Sequence, residues 1–373
     1  MMIRNAVIYF FFTCMLLSNL LLPTALWAQK KGNDGRLVLK RGINISHWLS
    51  QSRHFGRDRA TFFTEKDVIF LKQHGFDHIR LPVDEDQLWE QDHSKKRASF
   101  ELLHQAMQWC YLHHLNVVLD LHILRSHYFD ATVKPLWTQP QAQDWFLECW
   151  RELSAEMKRY PVSMLAYELL NEPVADSAAQ WNELLARGIA VIRETEPRRV
   201  IVIGSNRWQS ITTFPELKVP EADPNIILSF HYYNPFVLTH HMAGWTRIRD
   251  YTGPVHYPGA TVTAKELDAL PATIRNLLYG ANKVYNADTI QAQLQPAIRL
   301  SQRLDMPLYC GEWGCMNTVP HKDRLRWYKD VRKVLERNHI AWSTWDYKSN
   351  NFGLVGEGLD AEPDKDLLKA LTR

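Results

Sequence analysis

A closed (β/α)8 TIM barrel in a single domain is the fold this sequence predicts, and three observations predict it. From about residue 38 onward, eight short runs rich in Leu or β-branched residues recur; longer segments of helical period lie between them; and the strand-and-helix alternation repeats eight times within the remaining roughly 335 residues. Strict alternation implies parallel strands joined by crossovers, and closure gathers every strand's carboxyl end on one rim. A doubly wound open sheet is the alternative that the same alternation allows.

The runs are, in order, LKRGINIS, HIRLPV, NVVLDLH, MLAYELL, RVIVIGS, IILSFHYY, MPLYCGEW and IAWSTWDY. Apolar residues at three- and four-residue spacing predict helices over 64–74, 100–114, 141–160, 177–194, 289–303 and 321–338. Thr64 with Asp67 and Asp176-Ser177 supply start signals for two of them. After the sixth run comes a long irregular insertion, 235–288, rich in His, Tyr, Gly and Pro. Loops of that length are usually functional or disordered, and Phe236, Trp245, Tyr251 and Tyr257 favour an ordered cover over one side of a cleft.

Composition narrows the class. The 373 residues are 46% hydrophobic and 23% charged with a net charge of +3, which fits a globular chain and offers no basic surface for nucleic acid. The excess is aromatic, with 14 Trp, 14 Tyr and 15 Phe. Flat rings with polar edges suit ligands that have both an apolar face and hydroxyls, as sugars do. Arg4, the apolar stretch 6–22, and the small residues Ala25 and Ala28 read as a secretory signal peptide, 1–28, so a secreted or periplasmic protein is expected. An uncleaved anchor is the rival reading; after cleavage no stable membrane association is expected. Cys110, Cys149, Cys310 and Cys315 then remain, as free thiols or as two disulfides.

The strand ends are where a barrel keeps its chemistry. They read Asn44 and His47-Trp48; Arg80; His122; Asn171-Glu172; Asn206 and Trp208; His231 and Tyr233; Glu312-Trp313; Trp345-Asp346. Glu172 and Glu312, at the ends of the fourth and seventh strands, form the pair that glycoside cleavage needs: one acid protonates the departing oxygen while the other attacks or activates water. A separation of about 5 Å would give retention. His240-His241 and His256 have no metal-ligand spacing, so neither metal nor cofactor is expected.

These motifs together resemble glycoside hydrolase family 5, the cellulase family. LAYELLNEPV resembles the signature around the family's acid/base, CGEWG the strand carrying its nucleophile, and RGINISHW, FDHIRLPV, VVLDLH, LSFHYYNP and WSTWDY its other strand ends in order. The resemblance covers 38 to about 355 of a catalytic domain taken as 38–373. It implies Glu172 as acid/base, Glu312 as nucleophile and Asn171 on the 2-hydroxyl of the sugar being cleaved. It further implies that Arg80 and Tyr233 bond to the nucleophile, that His122 and His231 line the site, and that Trp345 lies beneath that sugar. Trp208 and His47 complete the expected binding set. Arg80 and Tyr233 would hold Glu312 ionised, while Glu172, with no such cation matched to it in the sequence, would keep a raised pKa.

Two departures from the family pattern stand out. His122 is followed by Ile123 where a second His is common, and SHW stands where many members have GGW, so that His47 would narrow the pocket toward short oligosaccharides or chain ends. The expected activity is that of a monomeric retaining β-glucan hydrolase, most simply an endo-β-1,4-glucanase. Mannanase, mixed-linkage glucanase, xyloglucanase and exo-β-glucosidase share the chemistry; a noncatalytic carbohydrate-binding protein and a metal-dependent barrel hydrolase are the readings from other classes.

Overall fold

The computed structural model describes residues 37–129, 131–278, 280–358 and 361–373; the expected signal peptide lies outside them. Eight parallel strands close into a barrel: β1 (Arg41–Asn44), β2 (His78–Asp84), β3 (Asn116–Ile123), β4 (Leu165–Glu168), β5 (Val200–Gly204), β6 (Ile226–Tyr232), β7 (Leu308–Trp313) and β8 (Ala341–Thr344). Each is hydrogen-bonded to its neighbours in sequence order, and β8 closes on β1. The open-sheet alternative is thereby excluded.

Five of the six helices foreseen span Glu65–Gln73, Arg97–Leu112, Pro140–Met157, Ala178–Arg193 and Ala287–Leu304, and the sixth spans His321–Arg337. Asp67 Oδ2 accepts the Thr64 N–H at 2.7 Å, so the start signal acts through the acid. Ser177 and Gln180 cap each other's backbone. The repeat is incomplete between β5 and β6, where two short turns, Asn206–Gln209 and Ile211–Glu216, replace a full helix. A helix at Lys365–Thr372, unforeseen, follows β8. Among the described residues no helix is long and apolar enough to cross a membrane.

The barrel interior is layered. Val118, Ala166, Val202, Ile227 and Tyr309 form an apolar floor against which Leu37 and Leu39 pack. Above it the inward period-two positions turn polar: Arg80, Asp120, Glu168 and Ser229, all at 1% exposure or less. Two register breaks at the upper rim change what faces the mouth. One lies where β2 pairs β3 and passes over His122; the other lies where β6 pairs β7, passes over Gly311 and sets Glu312 beside His231. Bulges of this kind re-aim side chains next to active sites.

The insertion after β6 is ordered over its described residues. It contains short helices at Phe236–Thr239, Ala264–Asp268 and Ala272–Leu277 and a two-stranded ribbon, Gly259–Ala260 with Val284–Tyr285. Tyr257 Oη donates to Asp330 at 2.9 Å and Thr318 Oγ1 to the His241 carbonyl at 2.5 Å, tying the insertion to the barrel. The four described cysteines are buried free thiols, which settles the disulfide question against bridging.

Candidate active site

Arg80 organises the barrel mouth. Rising from β2 with 0% exposure, it donates Nε to Glu168 Oε2 at 2.7 Å, Nη1 to Asn44 Oδ1 at 2.9 Å and to Glu312 Oε1 at 2.8 Å, and Nη2 to Asn171 Oδ1 at 2.9 Å. Its Nη2 also lies 3.0 Å from Asp120 Oδ2. One guanidinium thus serves three buried carboxylates. Its planar fork matches that task where a lysine ammonium could not.

Glu312, at 5% exposure, gains a second partner in Tyr233, whose Oη donates to Oε2 at 3.0 Å. Burial holds the Tyr233 phenol well above its ordinary value, so it remains a donor. Burial also lifts the Glu312 carboxyl, while Arg80, His122 and the Tyr233 hydrogen bond pull it down. Both contacts that the resemblance implies are present, but the net direction for Glu312 is upward, because burial outweighs them, against the expectation that they would hold it ionised.

Glu172 differs from expectation in one respect. It is not set apart from polar partners: His231 Nδ1 lies 2.8 Å from Glu172 Oε1 and 3.6 Å from Glu312 Oε2. Burial drives the His231 imidazole well below its usual range, which favours the neutral ring. Glu172 follows β4 by four residues in a left-handed conformation, φ 46°. The run MLAYELL therefore stops being strand at Glu168, although the Asn171 N–H still reaches the Leu121 carbonyl at 3.1 Å.

Glu172, His231 and Glu312 bring one ligating atom each to within 4.8 Å of one another. Two carboxylates at this spacing, one fixed by a cation and a phenol and the other by a neutral imidazole, can divide nucleophilic attack from proton transfer. The trio could also close on a metal ion. The Glu312 oxygens in that group already accept from Arg80 and Tyr233.

The remaining foreseen residues fall into two groups. Asn171 and His122 belong to the inner network: Asn171 Nδ2 is buried with no protein partner, and His122 Nδ1 lies 2.6 Å from Asp120 Oδ2. Burial pushes His122 down to about 3 and Asp120 up to about 7, with Arg80 opposing the latter, so this contact holds a single hydrogen. Trp345 stacks on His122, centroids 5.6 Å apart and 11° between planes, and packs with Tyr233 against Ala243, Met316 and Phe352. At the edge, His47 Nε2 lies 3.6 Å from Asp346 Oδ2, and Trp208 is 47% exposed.

Four residues escaped sequence reasoning. Asp120 and Glu168 anchor Arg80, and period-two counting, from His122 back to Asp120 and from Ala166 on to Glu168, would have placed both on the inner face. Gln209 and His127 both touch the backbone of Glu172, and no sequence signal announces either. His127, five residues after His122, supplies a second buried histidine on that side of the mouth.

The family model described as Cellulase (glycosyl hydrolase family 5) matches residues 39–351. The chain is 32% identical to Endoglucanase C of Acetivibrio thermocellus over 342 residues, covering 90% of this chain and 98% of that protein. Among solved structures it resembles cellulose synthase subunit Z of Clostridioides difficile, TM-score 0.73, 24% identity, covering 90% and 100% of the two chains. It also resembles Thermotoga maritima Cel5A in complex with mannotriose, TM-score 0.70, 25% identity, covering 90% and 97%.

Proposed function

This chain belongs to the cellulase family, glycosyl hydrolase family 5, and on that premise we propose that it is a retaining endo-β-1,4-glucanase with Glu312 as nucleophile and Glu172 as acid/base. The observation that carries the assignment is the approach of Glu172 and Glu312 to within 4.8 Å across the barrel mouth. Carboxylates about 5 Å apart leave no room for a water between them and the sugar, so one must attack directly.

In the first step a Glu312 oxygen bonds to the anomeric carbon, the glycosidic C–O bond breaks, and the Glu172 proton passes to the departing oxygen. In the second, Glu172 takes a proton from water, the resulting hydroxide bonds to the anomeric carbon, and the Glu312 ester bond breaks. Net double inversion leaves the configuration unchanged. Arg80 and Tyr233 keep Glu312 directed and receive its charge when it leaves. Asn171 Nδ2, without a protein partner, is the donor for the 2-hydroxyl of the sugar that rests on Trp345.

We read the apolar N-terminal stretch as an export signal and infer a periplasmic or extracellular enzyme acting on β-glucan, with a monomer as the expected state. Mannan is the second substrate to test, because a structural relative has been captured with mannotriose. Reducing ends released from cellulose derivatives, mixed-linkage glucan, xyloglucan and mannan, with Glu312→Ala as control, decide the matter. Release from β-1,4-glucan by the natural chain and none by the variant is the expected result; equal release by both would overturn the assignment.

A further inference from the structure

The loop that carries Glu172 is fastened to the turn after β5. The Ala175 N–H donates to Asn206 Oδ1 at 2.9 Å, Asn206 Nδ2 returns a bond to the Ala175 carbonyl at 3.0 Å, and the Trp208 N–H donates to the Pro173 carbonyl at 3.3 Å. The innermost bond of this series is made by Gln209. Its Oε1 accepts the Glu172 N–H at 3.4 Å while its Nε2 donates to Glu168 Oε1 at 2.9 Å. A carboxylate on one side and an N–H on the other leave only one orientation for that amide.

Bringing Gln209 there requires unusual backbone. Arg207, Trp208 and Gln209 are left-handed in succession, with φ of 56°, 60° and 50°, and Glu172 is left-handed at 46°. Such conformations are strained for a non-glycine residue, and where they cluster the surrounding structure must hold them. The result is that Arg207 and Trp208 point to solvent while Gln209 turns inward with 0% exposure. Gly204 makes the space, since a Cβ there would meet Gln209 Cγ and Nε2 at 2.5 Å. His127 Nε2, 3.3 Å from the Glu172 carbonyl, holds the other end of the same residue.

Glu168 is in turn bound by Arg80 Nε, and Arg80 Nη1 binds Glu312. We propose that Gln209 is a positioning residue for proton transfer, tying the backbone of Glu172 to the Arg80–Glu168 pair so that both carboxylates are set by one hydrogen-bonded frame. The inference rests on the reading of Glu172 as acid/base. It goes beyond that reading because Gln209 reaches neither the sugar nor the reacting carboxyl oxygens.

The test compares two substrates whose leaving groups differ in their need for a proton. Gln209→Leu should lower kcat/KM on cello-oligosaccharides by between about tenfold and 10²-fold, the scale of a misplaced catalytic group. The loss should be much smaller on 2,4-dinitrophenyl cellobioside, which departs without protonation. Gln209→Glu keeps the shape: ionised, it repels Glu168, and protonated, it restores both bonds. Its deficit on cello-oligosaccharides should therefore shrink as pH falls, and it carries the test if the Leu variant does not fold. Equal losses on both substrates that follow a lowered Tm, or kinetics like the natural chain's, would overturn the proposal. Glu172→Ala is measured alongside. If it keeps its activity on cello-oligosaccharides, the acid/base reading has failed; if it loses that activity and azide partly restores turnover of the aryl substrate while the Gln209 variants behave normally, only the positioning role has failed.

Discussion

An oxygen of Glu172 lies within 4.8 Å of an oxygen of Glu312, although 140 residues and two strands, β5 and β6, separate their carriers in the barrel. Neither side chain achieves this alone. The register break at Gly311 sets Glu312 beside His231, and His231 Nδ1 then faces both carboxylates. Closure of the sheet thus becomes a chemical distance.

Tyr233 tests the charge on Glu312. Its hydrogen bond lowers the Glu312 pKa against the upward push of burial, so Tyr233→Phe raises that pKa further. Attack requires the ionised carboxylate, and activity on the acid side therefore fails at higher pH in the variant. The kcat/KM–pH profile should show its acid limb displaced toward neutrality; a displacement the other way would contradict the wiring.

Arg80 tests the frame. Replacing its fork by a point charge in Arg80→Lys cannot satisfy Glu168, Asn171, Asn44 and Glu312 together. The expected loss is about 10²-fold or more in kcat, with a lower Tm because buried carboxylates lose a partner. Steady-state kinetics and thermal unfolding check the two parts separately.

His47 tests chain-length preference. Its imidazole sits at the mouth against Asp346. Removing it in His47→Gly opens that side, and the ratio of activity on polymer to activity on cellotriose should rise by up to about tenfold, the scale of one steric contact. An unchanged ratio would free His47 from any role in narrowing the cleft.

Chelation tests the chemistry's independence from a cation. Incubation with excess EDTA followed by assay should leave activity within about twofold, since general acid–base transfer by the two glutamates needs no Lewis acid. A large loss restored by one divalent ion would turn the Glu172–His231–Glu312 group into a metal site.

Much of this was legible in the sequence because it depends on periods. Eight apolar runs correspond to eight strands, and Arg80, His122, His231 and Glu312, read from four of them, are all buried in one network of hydrogen bonds and ion pairs, although Arg80 lies well inside its strand rather than at its end. Asp120 and Glu168 lie on the same inner faces but were passed over, because charged residues within apolar runs are seldom buried unless paired, and their partner Arg80 is distant in sequence. Gln209 was beyond sequence reasoning for another reason. Three consecutive left-handed residues in Arg-Trp-Gln contain no glycine or asparagine to announce them, and only tertiary contacts with the 171–175 loop select that conformation.

The double-displacement account stands most directly on the ester it requires at Glu312. Treating the enzyme with 2,4-dinitrophenyl 2-deoxy-2-fluoro-cellobioside, which forms that ester quickly and hydrolyses it slowly, and then mapping the adduct by peptide mass spectrometry should place one fluorocellobiosyl group on Glu312. A label on any other residue, or turnover that yields the inverted anomer with no adduct, would contradict it.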